Sequence, residues 1–191
     1  MLLGFLLFIL PLAAAASLLL YLPVYLVNRR RYGKRPFLRH LVLYALIGAV
    51  LSFLYLTILW YGLDNLAVRP SYRFLNLRPF AWAAETYEMG PWKMAKQLMT
   101  NVAMLVPFGL LLPMAFPRLR RWWKTALWVA GFILCVETAQ YFIGRSADVD
   151  DLIMNTLGGV LGYGLFALLD KRFHSAPWWR GALKADRLGF A

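Results

Sequence analysis

The sequence predicts an all-α integral membrane protein, a bundle of five transmembrane helices, on the basis of its composition and of five long apolar stretches. Of the 191 residues, 61% are hydrophobic and 16% are charged, and the mean hydropathy is +0.58. A soluble domain is about half apolar and about a quarter charged. Because a helix needs about 20 mostly apolar residues to cross a bilayer, each of the five stretches is predicted to span it.

The five predicted spans differ in the polar groups that they contain. The first, second and fifth have no ionised side chain inside, the third has Lys96 near one end, and the fourth contains Glu137. The first lacks the charged segment that precedes the apolar core of a signal peptide, so we expect an uncleaved helix. In chain order, the spans are Leu2–Val27, Leu41–Gly62, Ala95–Phe116, Thr125–Ile143 and Leu152–Leu169.

The distribution of the net charge of +12 predicts an orientation. Fifteen of the 21 basic residues lie between spans one and two, between spans three and four, or in the C-terminal tail. The positive-inside rule therefore places the N-terminus outside and the C-terminus inside. Because the basic clusters alternate with membrane spans, we expect them to contact membrane lipids and not nucleic acid.

Three regions follow from this pattern. Residues 1–62 form an N-terminal transmembrane hairpin, residues 63–170 combine a long outer link with three transmembrane helices, and residues 171–191 form a cytoplasmic tail. The outer link is rich in aromatic residues between Phe74 and Trp82, which is typical of the membrane interface. We expect a short interfacial helix or re-entrant turn there. Trp178 and Trp179 predict that the tail is an interfacial anchor.

Polar residues interrupt the last three spans at a common depth. With a rise of about 1.5 Å per residue, the polar positions of spans three, four and five all fall near the predicted outer surface, and the link between spans four and five adds charge there. An ionisable group inside a span costs at least a few kcal/mol and by default marks a functional site. The candidate residues are Asn101, Glu137, Gln140, Arg145, Asp148, Asp150, Asp151 and Asn155.

Several of these residues also have structural interpretations, which the sequence leaves open. Asp148 or Asp150 can cap span five, and the helix dipole favours Asp151 in its first turn. Glu137 can form a buried ion pair with Arg145. The two asparagines can bond neighbouring helices. Close helix packing is predicted separately, because Gly158 and Gly162 have the small-xxx-small spacing.

The residue types suggest three kinds of chemistry. The carboxylates of Glu137, Asp148 and Asp151 are the catalytic candidates, with Glu137 as general acid or base. Carboxylates can also hold Mg²⁺ or Ca²⁺, although the sequence assigns no cofactor. Arg145 can bind a phosphate or a carboxylate. A Ser-His triad is disfavoured because His40 and His174 both lie on the predicted inner side.

Four segments resemble the VanZ-like family of membrane proteins. They are Asn76–Phe80, which is similar to the family's Asn-Leu-x-Pro-Phe stretch, Asn101–Gly109, Glu137–Gln140 and Arg145–Gly159. Together they extend over roughly the last two-thirds of the chain. The family positions are Asn101, Pro107, Gly109, Glu137, Gln140, Arg145, Asp148, Asp151 and Asn155.

The resemblance implies a multi-pass protein of the bacterial cytoplasmic membrane, in a family whose founding member lowers susceptibility to the lipoglycopeptide teicoplanin. We therefore expect the outer-face polar pocket to bind or modify a lipid-linked cell-envelope precursor. The alternatives are a metal-dependent membrane enzyme that acts on an envelope lipid and a structural membrane scaffold. Whether the protein is an enzyme stays open, as does its oligomeric state.

Overall fold

The computed structural model describes residues 10–59, 75–82 and 90–183, and they fold as a helical bundle. A π-helical turn, Tyr55–Leu59, continues the second helix, and a 3-10 turn, Pro117–Leu119, follows the third. The helices are α1 (Leu10–Tyr32), α2 (Phe37–Leu54), α3 (Pro91–Ala115), α4 (Trp122–Phe142), α5 (Val149–Phe173) and α6 (Pro177–Ala182).

Within the described ranges, four helices are long and apolar enough to cross a membrane, as expected for four of the five predicted spans. They are Phe37–Leu59, Pro91–Ala115, Trp122–Phe142 and Val149–Phe173. A shorter apolar helix, Pro11–Val27, precedes them. The first eight residues of the first predicted span, 2–9, lie outside the described ranges, as do residues 60–62 of the second. Most helices begin a few residues earlier than the apolar stretches, because their first turns contain polar or aromatic residues.

The helix core is assembled around α3, whose apolar side chains are the most deeply buried. Leu105, Phe108 and Leu112 of α3 and Val129 and Ile133 of α4 are between 0% and 1% exposed. Large apolar side chains on the outer surface are suited to contact with lipid. They include Leu18, Leu19, Leu127, Leu134, Leu161 and Leu168.

Glycines bring α3 and α5 into backbone contact. A Cβ at Gly158 would collide with the carbonyl of Val102, and one at Gly162 would collide with the carbonyl of Val106. A Cβ at Gly109 would collide with the carbonyl of Gly159. Small residues let transmembrane backbones approach closely, so the predicted packing through Gly158 and Gly162 is confirmed.

Two arginines close the C-terminal end of α3, where the last four carbonyls of a helix have no partner within it. Arg39 is 3% exposed and donates to the carbonyls of Met114 and Ala115, at 2.9 and 2.8 Å. Arg120 Nε donates to the carbonyl of Pro113 at 3.2 Å. The charge pattern of the sequence groups Arg39 with the basic residues of the link between the first two spans. The structure places it in the interior, where it donates to the carbonyls at the end of α3.

The described part of the C-terminal tail, which ends at Leu183, packs into the bundle at this same end. Trp179 on α6 is 3% exposed, and its ring stacks on that of Phe166 with the ring centroids 6.2 Å apart. Its Nε1 donates to Asp170 Oδ1 at 2.7 Å. Trp178 is 48% exposed. The prediction of an interfacial anchor is therefore wrong for Trp179, which is a packing residue. We call this end of the bundle, which contains Arg39 and Arg120, the arginine end, and we call the opposite end the site end.

A short strap crosses the site end. Residues 75–82, which we call the strap, begin with a two-residue strand, β1 (Leu75–Asn76). It pairs in parallel with β2 (Ala147–Asp148), with Leu75 opposite Ala147 and Asn76 opposite Asp148. The sequence predicted an interfacial helix or re-entrant turn here and did not predict this pairing, because two residues are too few to show strand periodicity. Residues 60–74 and 83–89 of the link lie outside the described ranges.

Candidate functional site

The structure brings the predicted polar residues together at the site end. There the end of α2, the first half of α3, the end of α4 and the start of α5 meet beneath the strap. Seven of the eight predicted residues make hydrogen bonds that join these elements to one another or shape the link between α4 and α5. The exception is Asn155, which lies deeper on α5.

Asp148 is at the centre of the hydrogen-bond network. Its Oδ1 accepts from the backbone N–H of Asp150 at 2.8 Å, so it is the N-cap of α5. Its Oδ2 accepts from Asn76 Nδ2 at 3.1 Å. Its own backbone N–H donates to Glu137 Oε2 at 3.2 Å. The capping interpretation is thus confirmed for Asp148, which in addition joins the strap to α4.

Asp150 holds the strap in place. It is 5% exposed, and its two carboxylate oxygens accept from the backbone N–H groups of Phe80 and Trp82, at 2.6 and 3.2 Å. Phe80 has a φ of 64°, an uncommon backbone conformation for a bulky residue. A buried carboxylate that binds two backbone donors fixes such a turn. Asp150 therefore acts on the position of the strap.

Asp151 and Asn101 connect the first turn of α5 to α3. Asn101 Nδ2 donates to Asp151 Oδ1. Both side chains are partly buried, and the bond joins the two helices that the glycines bring into contact. The prediction of interhelical hydrogen bonding is confirmed for Asn101. Asn155 is 6% exposed and lies one turn deeper on α5 than Asp151.

Gln140 and Arg145 both bind the end of α2. Gln140 Nε2 and Arg145 Nη1 each donate to the carbonyl of Thr57 at 3.1 Å. Thr57 lies in the π-helical turn, where the regular i→i−4 bonding is interrupted and a carbonyl can accept from side chains. Arg145 also interacts electrostatically with Glu137 and Asp151. The site thus includes a residue of the π-helical turn that continues α2, Thr57, which sequence reasoning missed because a π-turn has no sequence signature.

A groove of about 270 Å³ lies beside this network, between the strap, the end of α4 and the start of α5. Glu137 and Asp148 lie on its polar side, and Glu137 is 7% exposed. Its walls are otherwise mostly apolar. They include Leu75, Leu77, Leu134, Phe142, Val149 and Leu152. Two of these, Leu134 and Phe142, are 57% and 63% exposed, so the groove borders the lipid-facing surface.

The carboxylates at this end have separate partners. Asp148, Asp150 and Asp151 accept from different donors, on the strap, on α5 and on α3. Within residues 10–59, 75–82 and 90–183, no group of three or more His, Cys, Asp or Glu side chains is arranged to hold a metal ion. Each of the three aspartate carboxylates therefore has protein hydrogen-bond donors of its own.

These features define a helical, multi-span membrane protein with a hydrogen-bonded polar cluster and an apolar groove at one end of its spans. The sequence model of the VanZ/LLP1 family matches residues 37–170, and the chain belongs to that family. The matched residues begin with α2, inside the predicted N-terminal hairpin, and include the strap and the whole candidate site.

A curated relative supports the same assignment. Protein VanZ of Enterococcus faecium is 35% identical over 103 residues, which is 53% of this chain and 58% of that protein. The chain therefore aligns with less than two thirds of the relative's length. No solved structure matches the chain.

Proposed function

We propose that the groove at the site end binds a lipid-linked component of the cell envelope, and that this binding lowers susceptibility to lipoglycopeptides of the teicoplanin type. The observation that carries the proposal is the combination of a buried carboxylate, Glu137, with apolar walls that border the lipid-facing surface. A lipid can enter such a groove from the bilayer, keep its chain in apolar surroundings and present polar groups to Glu137. Apolar pockets with a few convergent polar groups are typical of ligand sites.

The proposal includes an orientation in the bacterial cytoplasmic membrane. The arginine end and the helix ends beside it contain most of the described basic residues, among them Arg118, Arg121, Lys124, Lys171 and Arg172. The positive-inside rule places them in the cytoplasm. The site end then faces outward, where envelope precursors are assembled into the wall and where a glycopeptide meets them.

Within the proposed site, the residues have different roles. Glu137 contacts the ligand, and Asn76 and Asp148 border the same groove. The remaining polar residues hold the elements that form the groove: Asn101 and Asp151 join α3 to α5, Asp150 fixes the strap, and Gln140 and Arg145 fix the end of α2. Binding is favoured over metal-dependent catalysis because the aspartate carboxylates already accept from protein donors.

The test compares teicoplanin susceptibility in a sensitive host that expresses wild type, Glu137→Gln or Asp170→Asn, with membrane abundance measured for each. Asp170→Asn removes one carboxylate at the arginine end and is the matched control. We expect protection by wild type and Asp170→Asn and its loss with Glu137→Gln at equal abundance. Equal protection by all three proteins would overturn the role of Glu137, and protection by none would overturn the resistance role.

A further inference from the structure

The groove has two chemically different sides, and together they limit which molecules can occupy it. Its apolar side is formed by Leu75, Leu77, Leu134 and Phe142, each more than half exposed. In a membrane these side chains contact hydrocarbon, so an acyl or isoprenoid chain can lie along them without losing apolar contact. The polar side begins at Glu137 and Asp148. The occupant is therefore an amphiphile whose head meets the carboxylates.

The charges around Glu137 select the head. Its charged neighbours among the described residues are the carboxylates of Asp151 and Asp148 and the guanidinium of Arg145. Arg145 donates to the carbonyl of Thr57 and also acts on Glu137, so that three carboxylates, with Glu137 itself, share a single guanidinium. Carboxylates therefore predominate at the polar side of the groove. In surroundings of low dielectric such an arrangement repels a phosphate and attracts a cation.

Glu137 also keeps unused acceptor capacity. An ionised carboxylate can accept about four hydrogen bonds, and the described residues supply Glu137 with one donor, the backbone N–H of Asp148. A second donor nearby, Thr138 Oγ1, is bonded to the carbonyl of Leu134 at 2.7 Å. The neighbouring side chain thus leaves the carboxylate available to a donor from a ligand.

We propose that the groove takes an amphiphile with an ammonium head, which donates to Glu137, and an apolar chain, which lies along Leu134 and Phe142. This assignment rests on the proposed function and names the chemistry of its ligand. It separates the head that Glu137 recognises from any phosphate of the same molecule, which must lie away from the carboxylates.

The experiment uses the purified full chain in a non-ionic detergent and two photoactivatable probes with the same diazirine-bearing twelve-carbon chain. One probe ends in a primary amine and the other in a phosphate. Labelled residues are mapped by mass spectrometry. We expect saturable labelling by the amine between Leu134 and Leu152, and at least about tenfold less with Glu137→Gln, since truncating one partner of a buried charge pair weakens binding by that much or more. Asp170→Asn should label like wild type.

A second variant covers the case in which Glu137→Gln does not fold. Leu134→Trp occupies the apolar side of the groove without a change in charge, and it should also reduce labelling by the amine. Equal labelling by the phosphate probe, or labelling spread evenly along the spans, overturns the proposal. If protection against teicoplanin depends on Glu137 while the amine has no preference, only the ammonium assignment fails. If the amine binds specifically but neither the wild type nor any variant protects the host against teicoplanin, the resistance role fails and this inference stands.

Discussion

The two ends of the bundle use polar groups in different ways. At the arginine end, Arg39 and Arg120 bond the free carbonyls of α3, and Trp179 bonds Asp170. The last carbonyls of a helix have no partner within it, and a cation near them is favoured by the helix dipole. The polar groups of this end therefore have a structural role. At the site end, the polar side chains hold a strap, and one carboxylate, Glu137, borders a groove. The polar residues of the site end thus differ from those of the arginine end in that they border space for a ligand, which is the basis of the proposed function.

The largest expected effect concerns the orientation of the two ends. In a Cys135→Ser background, a cysteine is introduced in place of Ser146, which is exposed at the site end, or Ser175, which is exposed at the arginine end. In intact cells a membrane-impermeant maleimide should label the Ser146→Cys protein and not the Ser175→Cys protein, which should react only after lysis. Labelling of Ser175→Cys alone would reverse the orientation and remove the site end from the external face.

The next largest effect is predicted at the arginine end. Arg39→Met keeps most of the side-chain volume but leaves the carbonyls of Met114 and Ala115 without their donor, which should lower stability by about 2–4 kcal/mol. The measurement is the apparent Tm of the purified protein. An unchanged Tm would mean that Arg39 does not stabilise the end of α3. It would contradict the structural role that we assign to the arginine end.

The contact between α3 and α5 supports both ends, so its disruption should affect both. Gly162→Ala places a methyl group against the carbonyl of Val106 and should destabilise the protein by about 1–3 kcal/mol through overpacking. Gly164 lies on the same helix with open space around its Cβ position. Gly164→Ala is therefore the control and should leave the Tm unchanged or slightly higher. Similar Tm values for the two variants would argue against close contact of α3 and α5.

The smallest effect on stability is predicted for the strap. Asp150→Ala removes the acceptor for the N–H groups of Phe80 and Trp82 and should cost about 1–2 kcal/mol. Asp150→Asn retains one acceptor oxygen and should cost less. Limited proteolysis within the strap should be faster for Asp150→Ala than for Asp150→Asn. Equal rates of cleavage for wild type and both variants would show that this carboxylate does not fix the strap.

Much of this arrangement could be predicted from the sequence, because membrane spans are defined by apolar length alone. The polar positions of α3, α4 and α5 could be placed at one depth by counting residues from the span ends, and the structure brings Asn101, Glu137 and Asp148 to the same end. The spacing of Gly158 and Gly162 likewise predicted close packing against another helix, because both residues lie on one face of α5.

The remaining features depend on contacts between residues far apart in the chain. Asp150 binds the backbone of the strap, about 70 positions earlier, and no local pattern reports such a bond. Thr57 lies in the π-turn that continues α2, and its carbonyl accepts from Gln140 and Arg145, more than 80 positions later. Arg39 follows a basic loop and looks like part of it, although it is buried at a helix end. The sequence placed Glu137 near Arg145, and the two do interact electrostatically. The hydrogen bonds differ from the predicted pair, because the Asp148 N–H donates to Glu137 and Arg145 donates to the carbonyl of Thr57.

The contrast between the two ends is tested most directly by measuring two properties of the same pair of variants, Glu137→Gln and Arg39→Met. The properties are the apparent Tm of the purified protein and the protection against teicoplanin per unit of membrane-inserted protein. We predict that Glu137→Gln keeps a Tm close to that of wild type and loses protection, whereas Arg39→Met loses stability and keeps protection in proportion to its abundance. A Glu137→Gln protein that loses stability and retains protection per molecule would contradict the account, because Glu137 would then serve the fold as Arg39 does.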